Sequence, residues 1–309
     1  MIPAYFYYQM IMGGYLPLHI NDQTKGYSSL GFESASQGIN YRFVVKDAPA
    51  FKDEPYITTN DDYYSKIEFG LASYSLPNIG NKSFTSTWED LDNTLRTNKN
   101  FGLRLNHSNV LKDEVKTFMN IKDTDERAKA IYKYMTSNYK WSEYNTLWAS
   151  DEIRKVYNDK KGSSAELNLL MIALLNNCGI KAHPVILSTR SNGKILPAYP
   201  LINKFNYVVA AIENGEEYIF LDATDPEIPF GGLPARCLNG SGRLVRMKGQ
   251  SEFIPIETMM EYTQMETIKA KLDIESGAMS ANYKASTGGY LSHDMRERFK
   301  DAKPETIAE

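Results

Sequence analysis

The sequence predicts an α+β fold in which one buried helix packs on an antiparallel sheet, with β-rich segments on both sides. Three observations lead to this prediction. The run after Gly162 is apolar on nearly every helical face, three strand-like runs follow it, and the residues near both termini alternate as strands do. Because helices and strands occupy separate stretches of the chain, the pattern does not match a βαβ repeat.

The chain has 309 residues, more than one usual compact domain, and the pattern divides it into three parts. Residues 1–80 are predicted to form part of an N-terminal β-sandwich-like domain, residues 81–250 an α+β core, and residues 251–309 the start of a C-terminal β-rich domain. Two strands and a tail are too few for an independent sandwich. We therefore expect the chain to be a fragment of a longer protein.

Composition excludes several classes of function. Hydrophobic residues make up 42% and charged residues 24%, as in ordinary globular proteins. The net charge of −3 offers no basic face to nucleic acid, so no nucleic-acid partner is expected. The two cysteines, Cys178 and Cys237, cannot form a disulfide framework or a four-ligand zinc site, and no histidine has metal-ligand spacing. No metal or other cofactor is predicted.

The first 21 residues carry no formal charge but do not read as an export signal. No Lys or Arg precedes the apolar stretch, and Pro3 and Pro17 interrupt it. We predict instead two strands around a turn at Gly13–Gly14. No stretch approaches 18 apolar residues, so no membrane span is expected.

The middle of the chain is predicted to contain three helices before the buried one. The first begins at Thr87 with a capping box, the second at Ser108 and the third near Asp123. The buried helix is capped by Ser163 or Ser164, and it ends at Asn177 to Gly179.

Strands are predicted on both sides of a turn at two further places. Runs at 182–187, 205–212 and 217–221 are strand-like, and Asn214–Gly215 joins the last two as a hairpin. A second pair of strands is predicted around Ser276–Gly277, followed by a helical tail from Tyr290 to Asp301.

Five strings of the core resemble the transglutaminase-like superfamily, whose fold is related to that of papain-type cysteine proteases. More narrowly, the chain resembles bacterial envelope proteins frequent in Bacteroidetes, in which such a core lies between two β-rich domains. This resemblance implies an extracytoplasmic location. The strings are Lys161–Asn168, His183–Arg190, Phe205–Val209, Phe220–Pro226 and Leu233–Gly240.

The resemblance implies where a catalytic triad would lie. In the family a Cys at the start of the buried helix is the nucleophile, a His on a following strand is its base, and an Asp on the next strand orients the His. The matching positions in this chain hold Ser164, Tyr207 and Asp222. Two of the three catalytic groups are therefore substituted.

Each of these residues has a structural interpretation beside the catalytic one. Ser164 is expected to cap the helix and Tyr207 to fill a pocket while its hydroxyl bonds Asp222. Asp222 is equally suited to a turn. A tyrosine, protonated until about pH 10, is a poor base for a serine.

The sequence therefore favours a protein without catalytic activity over an enzyme. Such a protein would bind an extended peptide or glycan in the former cleft, with Trp141 and Asn206 beside Tyr207, or would act as a structural spacer. The alternative is an acyl-transfer or hydrolytic enzyme that uses Ser164 with Asp222. The oligomeric state is not predicted.

Overall fold

The computed structural model confirms the predicted α+β class, with a helical region followed by an antiparallel sheet. It describes residues 2–3, 6–14, 19–28, 36–45, 47–52, 54, 57–76, 79–83, 87–106, 108–258 and 260–300.

The N-terminal part forms two antiparallel sheets of three strands each. The strands are β1 (Ile2–Pro3), β2 (Phe6–Gly13), β3 (His19–Ser28), β4 (Ser36–Val44), β5 (Lys66–Leu76) and β6 (Gly80–Ser83). One sheet has the order β1-β4-β3 and the other β2-β5-β6.

The predicted hairpin around Gly13–Gly14 is wrong, although the strand before the turn is present as β2. β2 pairs with β5 and β3 pairs with β4. The long-range pairing buries Ile11 of β2, which is only 3% exposed. A local hairpin was expected because the Gly-Gly dipeptide is a turn signal, but sheet pairing depends on which faces are buried together. Residues 15–18 lie outside the described residues.

Five helices and two short strands build the middle of the chain. The predicted capping box at Thr87 is confirmed, and Asp123 caps the third helix. The elements are α1 (Trp88–Thr97), α2 (Lys112–Phe118), α3 (Thr124–Asn138), β7 (Lys140–Trp141), α4 (Ile153–Asp159), β8 (Lys161–Gly162) and α5 (Ser164–Asn177). β7 and β8 pair in parallel just before α5 begins.

Helix α5 is the predicted central helix of the core. All of its residues from Ser164 to Leu175 are buried, including Leu167, Leu170 and Leu174. A helix that is apolar on all faces must be enclosed on all faces, which this one is. No helix in the described part of the chain is long and apolar enough to cross a membrane.

A five-stranded antiparallel sheet packs against α5. The predicted hairpin at Asn214–Gly215 is confirmed, since Asn214 pairs with Glu217. The last two strands were not predicted. The strands are β9 (Ala182–Leu187), β10 (Tyr207–Asn214), β11 (Glu217–Leu221), β12 (Ser241–Leu244) and β13 (Glu252–Pro255), in the order β11-β10-β9-β12-β13.

The C-terminal part is a two-stranded hairpin and a helix. As predicted, β14 (Thr263–Leu272) and β15 (Met279–Gly288) pair, with Ile268 opposite Tyr283. Helix α6 (Gly289–Phe299) follows, and the Tyr290 hydroxyl donates a hydrogen bond to the backbone of the core at Leu233. Asp301 of the predicted tail lies outside the described residues.

The start of α5 allows a test of its cap. The Ser163 hydroxyl accepts from Glu166 N and the Glu166 carboxylate accepts from Ser163 N, and both residues are buried. We expect Ser163→Ala to lower the free energy of unfolding by about 1–2 kcal/mol. Thr87→Ala removes the same motif from the exposed start of α1 and should cost less. Urea denaturation of both variants measures the difference, and an equal loss would contradict the role of burial.

Candidate functional site

The centre of the site is a hydrogen bond between two fully buried residues, Tyr207 and Asp222. The Tyr207 hydroxyl donates to Asp222 Oδ2 at 2.7 Å, as the sequence predicted. Burial, and then the negative charge of Asp222, raise the pKa of Tyr207 well above its usual value. The phenol therefore stays protonated and acts as a donor to Asp222.

Asp222 is saturated with donors on both of its oxygens. Oδ1 accepts from Asn168 Nδ2 at 3.1 Å and from Thr224 N at 2.9 Å. Oδ2 accepts from Tyr207 and has the Cys237 thiol 3.7 Å away. The contact with Thr224 N, two residues onward, is the turn predicted for Asp222. Side chains and backbone of the protein itself therefore supply the donors to Asp222.

Asn168 connects this carboxylate to the central helix. Its Nδ2 also donates to Val208 O at 2.9 Å, and its Oδ1 accepts from Ala223 N at 2.8 Å. A buried amide in an apolar helix needs such partners. Asn168 thereby joins α5 to the end of β10 and to the residue after Asp222.

Arg236 covers the outer side of the cluster. Its Nη2 donates to the Tyr207 hydroxyl at 3.2 Å and also to the Thr224 hydroxyl. Its guanidinium carbon lies 4.3 Å from the centre of the Trp141 ring. The guanidinium supplies the positive charge that a buried carboxylate requires, and it fills the space between Trp141 and Tyr207.

Ser164 is engaged elsewhere. Its hydroxyl donates to Thr146 O at 3.1 Å and accepts from Thr146 N at 3.0 Å. The side chain is 0% exposed. The proton of the hydroxyl is therefore directed at a backbone carbonyl. The expectation that Ser164 caps the helix is wrong, because Ser163 does so and Ser164 is the first helical residue.

The two cysteines are buried thiols. Burial raises the pKa of Cys178 and raises the pKa of Cys237 well above its usual value. Cys237 is completely buried. Its contact with Asp222 was not predicted. A thiol whose pKa is raised in this way does not act as a thiolate nucleophile at neutral pH.

The two predicted ligand-binding residues have partners within the protein. Trp141 lies on β7, half-buried, with Arg236 stacked on its ring. Asn206 binds both the backbone and the side chain of Thr189, with Oδ1 accepting from Thr189 N and Nδ2 donating to Thr189 Oγ1, each at 2.9 Å. Their role in binding a ligand stays a prediction.

Sequence reasoning missed three members of the cluster: Asn168, Thr224 and Arg236. Asn168 had a usable signal, since a lone amide within an apolar helix implies buried partners. Arg236 had none. Its partners belong to β7, β10 and the loop after β11, and only the folded chain brings these together.

Two histidines within the described residues contact carboxylates, and one of them, His293, contacts both Asp225 and Asp294. His183 Nε2 lies 2.9 Å from Glu213 Oε1, and His293 Nε2 lies 2.9 Å from Asp225 Oδ2. Among the described residues, no group of three or more His, Cys, Asp and Glu side chains could hold a metal ion.

Glu213 gives a prediction about acid stability. Hydrogen bonds from His183 and then Arg246 lower the pKa of Glu213 from 4.5 to about 2. A carboxylate whose pKa is lower in the folded than in the unfolded state stabilises the fold at pH values above its unfolded-state pKa. This contribution is lost as the pH falls from the unfolded-state pKa toward the folded-state pKa. We therefore expect Glu213→Gln to flatten the pH dependence of the free energy of unfolding between pH 4.5 and 2. Urea denaturation across this range checks it, with exposed Glu217→Gln as the control. A slope unchanged by Glu213→Gln would contradict the prediction.

Two solved structures match this chain at low identity. A candidate protease from Parabacteroides distasonis ATCC 8503 matches 84% of this chain and 44% of its own length, with 14% identity and a TM-score of 0.49. A candidate cysteine protease from Cytophaga hutchinsonii matches 91% of this chain and 87% of its own, with 12% identity and a TM-score of 0.30. The chain thus spans less than half of the first protein. No curated protein matches it.

The family comparison covers part of the site, including Ser164, Tyr207 and Asp222 but not Thr224 or Arg236. The model of the transglutaminase-like superfamily matches residues 114–223. This segment begins in α2, contains α5 and β9 to β11, and ends one residue after Asp222. Residues 114–223 of this chain are thus similar to the transglutaminase-like superfamily, as the sequence predicted.

Proposed function

We propose that this protein is a transglutaminase-like protein without catalytic activity, and that it serves as a binding or structural module of the cell envelope. The observation that carries the proposal is the closed cluster of Tyr207, Asp222 and Arg236. A protonated phenol stands where the family has a basic imidazole, and a guanidinium covers it. The envelope location rests on the resemblance of the sequence.

The hydrolytic alternative would need Ser164 to meet a base. Its hydroxyl instead bonds Thr146, and Asp222 is saturated by Asn168, Thr224 and Tyr207. Neither partner of the alternative dyad is available to the other. The geometry therefore favours the non-catalytic function.

Activity assays test the proposal directly. Purified protein is supplied with a glutamine-donor peptide and an amine, and separately with peptide substrates for hydrolysis. We expect no turnover above that of the Ser164→Ala variant. Turnover that Ser164→Ala abolishes would overturn the proposal, and so would covalent labelling of Ser164 by a serine-directed phosphonate.

A double variant tests whether the old site still has its geometry. Ser164→Cys with Tyr207→His restores the family's thiol and imidazole, and a thiol at a helix N-terminus beside an imidazole has a lowered pKa. We expect faster alkylation of the new thiol by iodoacetamide than in Ser164→Cys alone. Equal rates would show that the ancestral geometry is lost.

The outer face of Trp141 and Arg236 is where we propose that an extended peptide or glycan binds. Trp141 is half-buried, and its ring carries the Arg236 guanidinium, so the pair offers an aromatic and cationic surface. We expect Trp141→Ala to weaken the binding of soluble peptidoglycan fragments or cell-surface peptides, whereas Trp148→Ala should leave it unchanged. If neither ligand binds the wild-type protein, the structural role remains.

A further inference from the structure

A cavity lies between the N-terminal sheet and the loop that joins β9 to β10. Its volume is about 180 Å³, the room of a single sugar ring or amino acid. We propose that this cavity binds a small ligand that carries one carboxylate. Sites between separately folded parts of a chain are common places for small ligands. Among the lining residues are Ile11, Tyr63, Lys66, Leu196, Tyr199 and Lys204.

The charges around the cavity favour an anion. Three lysines line it, Lys66, Lys194 and Lys204, against the two carboxylates of Asp62 and Glu68. Lys204 Nζ lies 2.6 Å from Glu68 Oε1, and Lys66 Nζ lies 3.6 Å from the same oxygen. The cavity therefore has one ammonium group in excess, which a ligand with a single negative charge would balance.

Lys66 and Lys194 are the groups best placed to meet the ligand. The Lys66 side chain is 39% exposed, and its only ion pair among the described residues is the long contact with Glu68. The Lys194 ammonium forms no ion pair with any residue that the structure describes. The hydrogen bond from Lys204 lowers the pKa of Glu68, which keeps that carboxylate ionised and Lys204 occupied.

The rest of the wall is apolar and aromatic. Ile11 is 3% exposed, and Leu196 and Leu201 add further aliphatic surface. The rings of Tyr63 and Tyr199 lie among them. An apolar and aromatic wall with a few charged groups is the composition of small-molecule sites, where the wall holds the body of the ligand and the charges orient it.

The loop wall is held in place before any ligand arrives. Asn192 Nδ2 donates to Lys204 O at 3.1 Å and to Ser188 Oγ at 2.9 Å. Asn239 Nδ2 donates to Gly193 O at 2.9 Å, and Asn206 ties the start of the loop to the start of β10. A site that is already ordered loses less entropy on binding.

The loop wall is also joined to the N-terminal wall. Lys194 N donates to Asp62 Oδ1 at 2.8 Å. Gly193 has a φ of +88°, and a Cβ added there would lie 2.9 Å from Asp62 Oδ1. Glycine at this position therefore permits both the turn and the close approach. This contact joins two residues that line opposite walls of the cavity.

Titration calorimetry with matched ligand pairs tests the proposal. The probes are glucuronate against glucuronamide, and N-acetylalaninate against N-acetylalaninamide, so that a sugar acid and an amino-acid carboxylate are each compared with a neutral partner. We expect one carboxylate to bind at millimolar concentration or below and its amide to bind more weakly. The acid that binds more tightly indicates whether the ligand is a sugar acid or an amino-acid derivative. No binding by either acid, or equal binding of acid and amide, would overturn the proposal.

Charge variants locate the binding. We expect Lys66→Gln to weaken binding of the carboxylate about tenfold, as the loss of one charged hydrogen bond does. Glu68→Gln should tighten it, because this change frees the Lys204 ammonium. Lys271→Gln, on the distant and exposed strand β14, should have no effect. Opposite shifts at Lys66 and Glu68 cannot arise from unfolding, and equal affinity in all three variants would overturn the assignment. None of these residues belongs to the Asp222 cluster, so the outcome is independent of the proposed loss of catalysis.

Discussion

Replacing Asp92 by alanine is expected to lower the free energy of unfolding by about 3–5 kcal/mol, because it leaves a buried guanidinium without its partner. Arg243 donates to Asp92 through Nε at 2.8 Å and Nη2 at 2.7 Å, and the side chains are only 6% and 5% exposed. The guanidinium carbon also lies 4.7 Å from the centre of the Trp88 ring. The pair joins α1 to β12, so its loss loosens the helical region from the sheet. Urea denaturation measures the effect.

Two further variants separate the charge from the packing. Asp92→Leu combined with Arg243→Met replaces the ion pair by apolar side chains, and we expect it to recover most of the lost stability. Asp151→Ala breaks an exposed pair with Lys155 at 2.8 Å and should change little. If Asp92→Ala is as mild as Asp151→Ala, the buried pair does not hold the two layers together.

The fold was predictable where a continuous hydrophobic pattern in the local sequence shows that an element is buried. Helix α5 is apolar on all faces between a capping box and a glycine, and β9 and β11 have the predicted bounds. Strand β12 was missed because Gly242 and Arg243 do not look like a strand of the core. Arg243 can be buried there only because Asp92, far away in the sequence, neutralises it.

The site was predictable only in part for the same reason. The bond between Tyr207 and Asp222 followed from the family's spacing and from the chemistry of a phenol beside a carboxylate. The sequence distinguished poorly between Ser163 and Ser164 as the cap, since either hydroxyl suits the position. Arg236, which covers the site, could be found only from the structure, because its contacts come from separate elements.

Asp222→Ala is the second large effect, and it distinguishes a structural cluster from a catalytic remnant. The substitution removes the acceptor of Asn168 Nδ2 and of the Tyr207 hydroxyl, and it removes the negative charge that acts on the Arg236 guanidinium. We expect a loss of about 3–5 kcal/mol in the free energy of unfolding, since buried donors lose their acceptor while a largely buried guanidinium loses a nearby opposite charge.

The role of Asp222 is decided by comparison with a solvent-exposed carboxylate that accepts a similar number of hydrogen bonds from the protein. Asp273, in the exposed turn between β14 and β15, accepts from Glu275 N and from the backbone and hydroxyl of Ser276. Because water replaces these donors when the side chain is removed, Asp273→Ala should cost far less than Asp222→Ala. Similar losses in the two variants would mean that the Asp222 cluster does not stabilise the core. A catalytic remnant predicts the reverse pattern, in which Asp222→Ala abolishes activity and leaves stability nearly unchanged. We expect the large loss of stability, because the Asp222 carboxylate is held by its buried donors and interacts with the charge of Arg236.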